Sequence, residues 1–200
     1  MQEYFCTGAN AWPRKNVALG VSISTQEDAD KQLPWLLQCP AAMRFVSHEP
    51  ALGGLDMSNV PPWRNRPQVG DHIVPYDDAD GIPSVGIRGI NWLITGGESG
   101  PHARPMNPDW ARADRDQCEA AGVPWFFKQH GEHVGGRATE FLDGEPGWCL
   151  YENGTFSPNW SKDWGDGIVS LRVGKKDAGD KLDGKQHHEF PKFLTGANDA

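Results

Sequence analysis

The sequence has no long apolar run and little positive charge. None of its apolar stretches approaches the ~20 residues that a membrane-spanning helix needs, and the first four residues do not open a charged, apolar signal peptide. With 19 Lys and Arg against 27 Asp and Glu, the formal net charge is -8. A general nucleic-acid surface needs clustered Lys and Arg, so this charge disfavours one. These absences predict a cytoplasmic protein that neither spans a membrane nor binds nucleic acid generally.

Closely spaced cysteines are also missing. The four cysteines are Cys6, Cys39, Cys118 and Cys149, and no two of them form the C-x-x-C pair that is typical of zinc and iron-sulfur sites. Such scattered cysteines are typical of reduced thiols in a reducing compartment. We therefore expect no metal site and no cluster held by the cysteines of this chain.

Glycine, proline and tryptophan are plentiful, at 24, 16 and 9 residues, and the mean hydropathy is -0.61. This composition predicts many turns and a few large aromatic anchors. A length of 200 residues suits one main domain with a small appendage.

Strand-like and helix-like segments alternate through residues 1–130. Apolar runs at residues 17–24, 43–47, 90–95 and 123–127 predict strands. Thr25 is a candidate N-cap for a helix to about Gln38, which Pro34 kinks or splits. Asn107 is the N-cap of a second predicted helix that ends at Gly122. This order predicts an α/β fold with parallel strands.

The rest of the chain is less regular. Residues 51–89 show no periodicity, and so long an excursion is usually functional or disordered. Residues 131–200 predict a C-terminal extension rich in β-hairpins, with a short helix and a frayed tail. In it, Asn153-Gly154 predicts a hairpin between residues 148–151 and 155–156, residues 168–173 a strand, and residues 175–182 one or two helical turns ending at Asp183-Gly184.

Polar side chains follow each predicted strand of residues 1–130. Because parallel strands end at one edge of their sheet, these side chains should converge there. We predict catalytic roles for Glu49, Glu98 and Lys128, and substrate-binding roles for Ser22, Ser24, His48, Ser99 and Gln129. The paired glycines Gly96 and Gly97 let the backbone approach a ligand closely, which predicts a cofactor-binding role.

Each of these side chains also has a structural interpretation. Glu49 could cap the loop at Pro50, and Lys128 could simply neutralise the neighbouring carboxylates. A metal site built from Glu49 and the histidines is a further alternative, with surface histidines that bind no metal as the simpler account. These histidines are His48, His102, His130 and His133.

Several segments together resemble one family of phage and bacterial proteins, the gene-product-thirty-seven/sixty-eight type, which is radical-SAM-like and of unknown function. The matching segments are 12–17, 19–22, 44–50, 92–100, 103–106, 126–129, 172–176, 178–179, 182–184 and 190–191. The resemblance implies a (β/α) barrel. In radical-SAM enzymes a three-cysteine motif holds a [4Fe-4S] cluster that binds S-adenosylmethionine.

This chain has no counterpart of the three-cysteine motif. The resemblance therefore implies a C-terminal half barrel of about four parallel strands with the β-rich appendage. We expect no cofactor bound by this chain alone, and S-adenosylmethionine with [4Fe-4S] only if a partner chain supplies the cysteines. The open sheet edge of a half barrel favours a separate N-terminal half-barrel chain or self-association.

Three functions follow as hypotheses. The first is a substrate-facing wall of a radical-SAM-like protein, inactive alone and lined by Glu49, Glu98, Ser99 and Lys128. The second is a metal-dependent hydrolase that uses the strand-end His and Glu residues. The third is a non-enzymatic phage interaction module.

Overall fold

The structure is a computed structural model that describes residues 13–14, 16–57, 86–137, 148–150, 156–157 and 168–195. Most of the predicted excursion at residues 51–89 lies outside the described residues. Its described part comprises an irregular segment at 51–57 and a 3₁₀ turn at Gly86–Gly89. The predicted turn at Asn153-Gly154 also lies outside them.

Four parallel strands form the main sheet, in the order β1-β2-β3-β4. They are β1 at Ala18–Ile23, β2 at Met43–His48, β3 at Trp92–Gly96 and β4 at Trp125–Gln129. The predicted α/β class and the four parallel strands are thus confirmed. The described strands form an open sheet, and closure into a barrel stays a prediction.

Two helices connect strands of this sheet, and their ends follow the sequence signals. Helix α1, Gln26–Gln38, begins with a capping box in which Thr25 and Asp28 each bond the other's backbone amide, and it continues through Pro34. Helix α2, Pro108–Ala121, begins at Asn107, whose side chain accepts a hydrogen bond from the Asp109 amide. It ends at Gly122, which has a φ of 69°.

Both helices pack on one face of the parallel sheet and form the core with it. The buried apolar residues include Leu33 and Leu36 of α1, Trp110, Ala111 and Cys118 of α2, and Ile23, Val46, Leu93, Trp125 and Phe127 of the strands. Alternate strand residues face the opposite way. The two faces of the sheet therefore have different environments.

A second, antiparallel sheet follows in the order β5-β8-β6-β7. Its strands are β5 at His133–Arg137, β6 at Trp148–Leu150, β7 at Phe156–Ser157 and β8 at Ile168–Arg172. The predicted pairing on either side of Asn153-Gly154 is confirmed, since Cys149 pairs with Ser157. Strand β5 was not predicted, because its two glycines obscure the apolar alternation.

The predicted helical turns over residues 175–182 are only partly correct. Helix α3 spans Lys175–Ala178 and stops at Gly179, which has a φ of 69°. Strands β9, Lys181–Leu182, and β10, Lys185–Gln186, then form a hairpin. Its turn residues Asp183 and Gly184 have φ values of 53° and 75°, as a type I′ turn requires. The Asp-Gly pair was thus a hairpin signal.

The C-terminal segment then returns to the parallel sheet and lies antiparallel to β4 before helix α4, Lys192–Thr195. The Phe127 amide donates to the His187 carbonyl at 2.7 Å, and the Glu189 amide donates to the Trp125 carbonyl at 3.1 Å. The chain therefore covers the edge of the parallel sheet at β4. No helix in the described ranges is long and apolar enough to cross a membrane.

A buried carboxylate joins α2 to three strands. Asp114 is fully buried, and its Oδ2 lies 2.7 Å from both His48 Nδ1 on β2 and Thr95 Oγ1 on β3. The Thr95 hydroxyl in turn accepts a hydrogen bond from Trp125 Nε1 on β4 at 2.9 Å. Removing one member of such a group leaves its partners buried without hydrogen bonds, which is costly.

We predict that Asp114→Ala lowers the free energy of unfolding by about 3–5 kcal/mol, the range for breaking a buried pair. Urea unfolding measures this change. The matched control is Asp116→Ala on the same helix. The Asp116 side chain is 64% exposed and pairs with Arg115. The control should cost at most about 1 kcal/mol, and equal losses for the two variants would contradict the assignment.

Candidate functional site

Four polar side chains meet at the carboxyl ends of β2, β3 and β4. Lys128 Nζ lies 2.9 Å from each oxygen of the Glu49 carboxylate. The Gln129 side-chain amide donates to Ser99 Oγ at 2.8 Å and to Glu49 Oε1 at 3.3 Å. We call Glu49, Ser99, Lys128 and Gln129 the strand-end cluster. Four of the predicted site residues thus do come together.

Local strand geometry explains why this cluster forms. Successive strand residues point to opposite faces of the sheet. His48 points into the core, and Glu49, the next residue, points to the other face just after the end of β2. The register of β3 and β4 shifts after Thr95, and Gly96 pairs with Gln129. Such irregularities re-aim side chains. They fit the observation that two consecutive residues of β4, Lys128 and Gln129, both reach Glu49.

Glu98 lies in the loop after β3 but has a different partner. Its carboxylate accepts two hydrogen bonds from the Arg104 guanidinium and one from the Arg104 amide, all at 2.8 Å. The hydrogen bonds from the Arg104 side chain lower the pKa of Glu98 below its usual value. Glu98 is therefore an ionised, paired carboxylate, and its predicted catalytic role stays a prediction.

The two serines predicted on β1 do not join the hydrogen bonds of the strand-end cluster within the described residues. Ser22 is exposed and pairs in register with Ser47 of β2. Ser24 is half-buried, and its amide donates to Asp28 at the start of α1. Their predicted substrate-binding roles are not tested by this arrangement.

The histidines do not gather around Glu49. His48, predicted at the rim, is instead fully buried against Asp114 because strand alternation directs it toward α2. His102 is exposed, and His130 Nε2 bonds the Lys181 carbonyl at 2.8 Å. His133 is 3% exposed, with Nδ1 unpaired. Burial lowers the pKa of both His130 and His133. In the described ranges, no three His, Cys, Asp or Glu residues are grouped to hold a metal.

The paired glycines allow close packing of two loops. A Cβ on Gly97 would lie 1.9 Å from the His130 carbonyl oxygen, and one on Gly96 would lie 3.3 Å from the Glu49 carboxylate. The Gly97 amide already donates to the Gln129 carbonyl at 2.9 Å. The structure therefore supplies a packing reason for both glycines, while their predicted cofactor-binding role stays a prediction.

We predict that Gly97→Ala destabilises the protein by about 3 kcal/mol, at the upper end of the range for overpacking, because backbone has to move. Thermal or urea unfolding measures the loss. Gly53→Ala is the matched control, since a Cβ there meets only the Thr25 Cα at 4.0 Å. A Gly97→Ala variant as stable as this control would contradict the close contact.

Sequence reasoning missed the residues that hold the loop after β3. The Gly100 amide donates to Glu132 Oε1 at 3.1 Å, and the Arg172 guanidinium donates to the carbonyls of Gly100 and Pro101 at 3.0 and 2.8 Å. These contacts join segments more than 30 residues apart, so no local sequence pattern predicts them. The antiparallel sheet thereby supports the loop that carries Ser99.

The described cysteines do not fit an iron-sulfur cluster. Cys39 is the C-cap residue of α1, and Cys118 is buried within α2. Burial raises the pKa of the Cys118 thiol, which opposes formation of the thiolate that a cluster needs. Side chains of Cys6 and Cys149 lie outside the described set.

The fold and this cluster define an α/β protein with a polar group at the carboxyl ends of its parallel strands. The chain belongs to a family of proteins of unknown function, DUF5131, whose family model matches residues 1–191. No curated protein and no solved structure matches the chain.

Proposed function

We propose that this chain supplies the substrate-facing wall of a radical-SAM-like protein whose cluster-binding cysteines belong to another polypeptide. The strand-end cluster carries this proposal, because four polar side chains converge where parallel α/β sheets bind ligands. Glu49 and Lys128 offer one charge of each sign to the substrate. Ser99 and Gln129 offer a hydroxyl and an amide.

The exposure of Glu49 and Lys128 supports binding over a structural role. The side chains of Glu49 and Lys128 are 21% and 49% exposed, unlike the fully buried Asp114 and His48. Exposed ion pairs contribute little to stability. The stability of the fold therefore does not depend on this pair, and a ligand could replace either partner.

The metal-dependent hydrolase gains no support from the described histidines, which do not gather around Glu49. An interaction module remains the non-enzymatic alternative, and the end strand β1 is where it would bind. The strand-end cluster is the observation that favours the substrate-facing wall over both.

We predict that Glu49→Gln and Lys128→Met each change the free energy of unfolding by less than about 1 kcal/mol, as for exposed ion pairs. Urea unfolding is the measurement, with Lys31→Met as control because Lys31 forms an exposed ion pair with Glu27 on α1. A loss of 3 kcal/mol or more, on the order of that for a buried pair, would assign Glu49 and Lys128 a structural role.

We also predict that anaerobic reconstitution with iron and sulfide leaves this chain without a stoichiometric [4Fe-4S] cluster. Addition of a family chain that carries the three-cysteine motif should produce both the cluster and cleavage of S-adenosylmethionine. Iron analysis, absorption spectra and product chromatography measure these outcomes. A full cluster with cleavage by this chain alone would overturn the split arrangement.

A further inference from the structure

The face of the parallel sheet that points away from α1 and α2 has a row of two serines and two apolar residues next to a charged row. Ser22, Ser47, Ile94 and Phe126 pair in register across the four strands. The next row toward the strand ends holds Glu49 and Lys128, which form an ion pair, and Gly96 lies beside the Glu49 carboxylate. We call these two rows the second face.

Phe126 forms an aromatic surface on the second face. Its ring is stacked on His188 at 4.5 Å and 9°, and it meets Trp92 and Phe190 edge-on at 6.0 and 5.3 Å. These neighbours restrain the ring, yet Phe126 and Ile94 both remain only half-buried. A restrained, partly exposed aromatic ring favours stacking or edge contact with another ring.

Lys128 follows Phe126 by two residues on the same side of β4, which places their Cα atoms about 6.6 Å apart. Opposite Lys128 is the Glu49 carboxylate, 2.9 Å from Nζ. A ligand that fits therefore carries an apolar ring at one end and two opposite charges at the other. The α-ammonium and α-carboxylate of an amino acid are two such adjacent charges.

We infer that the second face binds a free aromatic α-amino acid, with its ammonium on Glu49, its carboxylate on Lys128 and its ring against Phe126 and Ile94. Ser22 and Ser47 lie in the same row and suit a ring hydroxyl. The inference rests on the proposed function, since it names the substrate class of the same site.

The charges of the site distinguish this ligand from anionic aromatic compounds. A nucleotide phosphate would be attracted by Lys128 but repelled by the Glu49 carboxylate beside it. The net charge of -8 on the chain adds to this repulsion. A zwitterion replaces the Glu49–Lys128 ion pair by two new pairs and leaves no charge without a partner. Charge complementarity thus favours the amino acid.

Calorimetric titration with L-phenylalanine, L-tyrosine and L-tryptophan tests the inference. We expect saturable binding, weakened about tenfold or more by N-acetylation or by conversion of the carboxylate to an amide, as for loss of one hydrogen bond between charged groups. Leucine, which has no ring, should also bind at least several-fold more weakly. Adenosine monophosphate should not compete.

Two variants assign the contacts. Glu49→Gln should weaken the binding of L-phenylalanine but leave the already weak binding of its N-acetyl derivative unchanged. Lys128→Met should likewise weaken the binding of L-phenylalanine and leave the binding of its amide derivative unchanged. Their matched controls on α1, Glu27→Gln and Lys31→Met, should bind L-phenylalanine as the unaltered chain does.

Lack of saturable binding, an affinity for leucine equal to that for L-phenylalanine, or affinities for the N-acetyl and amide derivatives equal to that for L-phenylalanine would overturn the inference. These results are independent of the proposed split arrangement, which fails only if this chain assembles its own cluster and cleaves S-adenosylmethionine. If the chain bound aromatic amino acids and also assembled its own cluster, the inference about the ligand would stand and the split arrangement would be rejected.

Discussion

The buried Asp114 carboxylate is the contact on which the arrangement of the parallel sheet depends. It accepts hydrogen bonds from β2 and β3 while belonging to α2, and Thr95 extends the connection to Trp125 on β4. Apolar packing alone would allow α2 to slide along the sheet, since such contacts are not directional. A carboxylate with fixed donors on two strands sets one position for the helix.

This buried pair also determines what appears at the rim. His48 is held in the core by Asp114, so the next residue, Glu49, lies beyond the end of β2. There the carboxylate meets Lys128 and Gln129. The buried His48–Asp114 pair therefore supports the strand-end cluster from the core side of the sheet. A shift of α2 would move His48 through Asp114, and Glu49 would move with it.

Much of the fold could be predicted from the sequence because its signals are local. Thr25, Asn107 and Gly122 mark helix ends by capping chemistry, and the apolar runs mark the strands. The partner of His48 could not be predicted, because Asp114 is 66 residues away and looks like one more polar residue of an amphipathic helix. Strand alternation alone, applied to residues 43–49, would have separated His48 from Glu49.

The C-terminal segment limits how another chain could extend the parallel sheet. Residues 187–189 lie beside β4 and occupy the amides of Trp125 and Phe127, the first through the Glu189 carboxylate. A parallel strand cannot add at this edge while those hydrogen bonds persist. Within the described residues β1 pairs only with β2, and Ala18–Ile23 carries neither charge nor proline to oppose pairing. A partner that continued the sheet would therefore add beside β1, next to Ser22 and the second face.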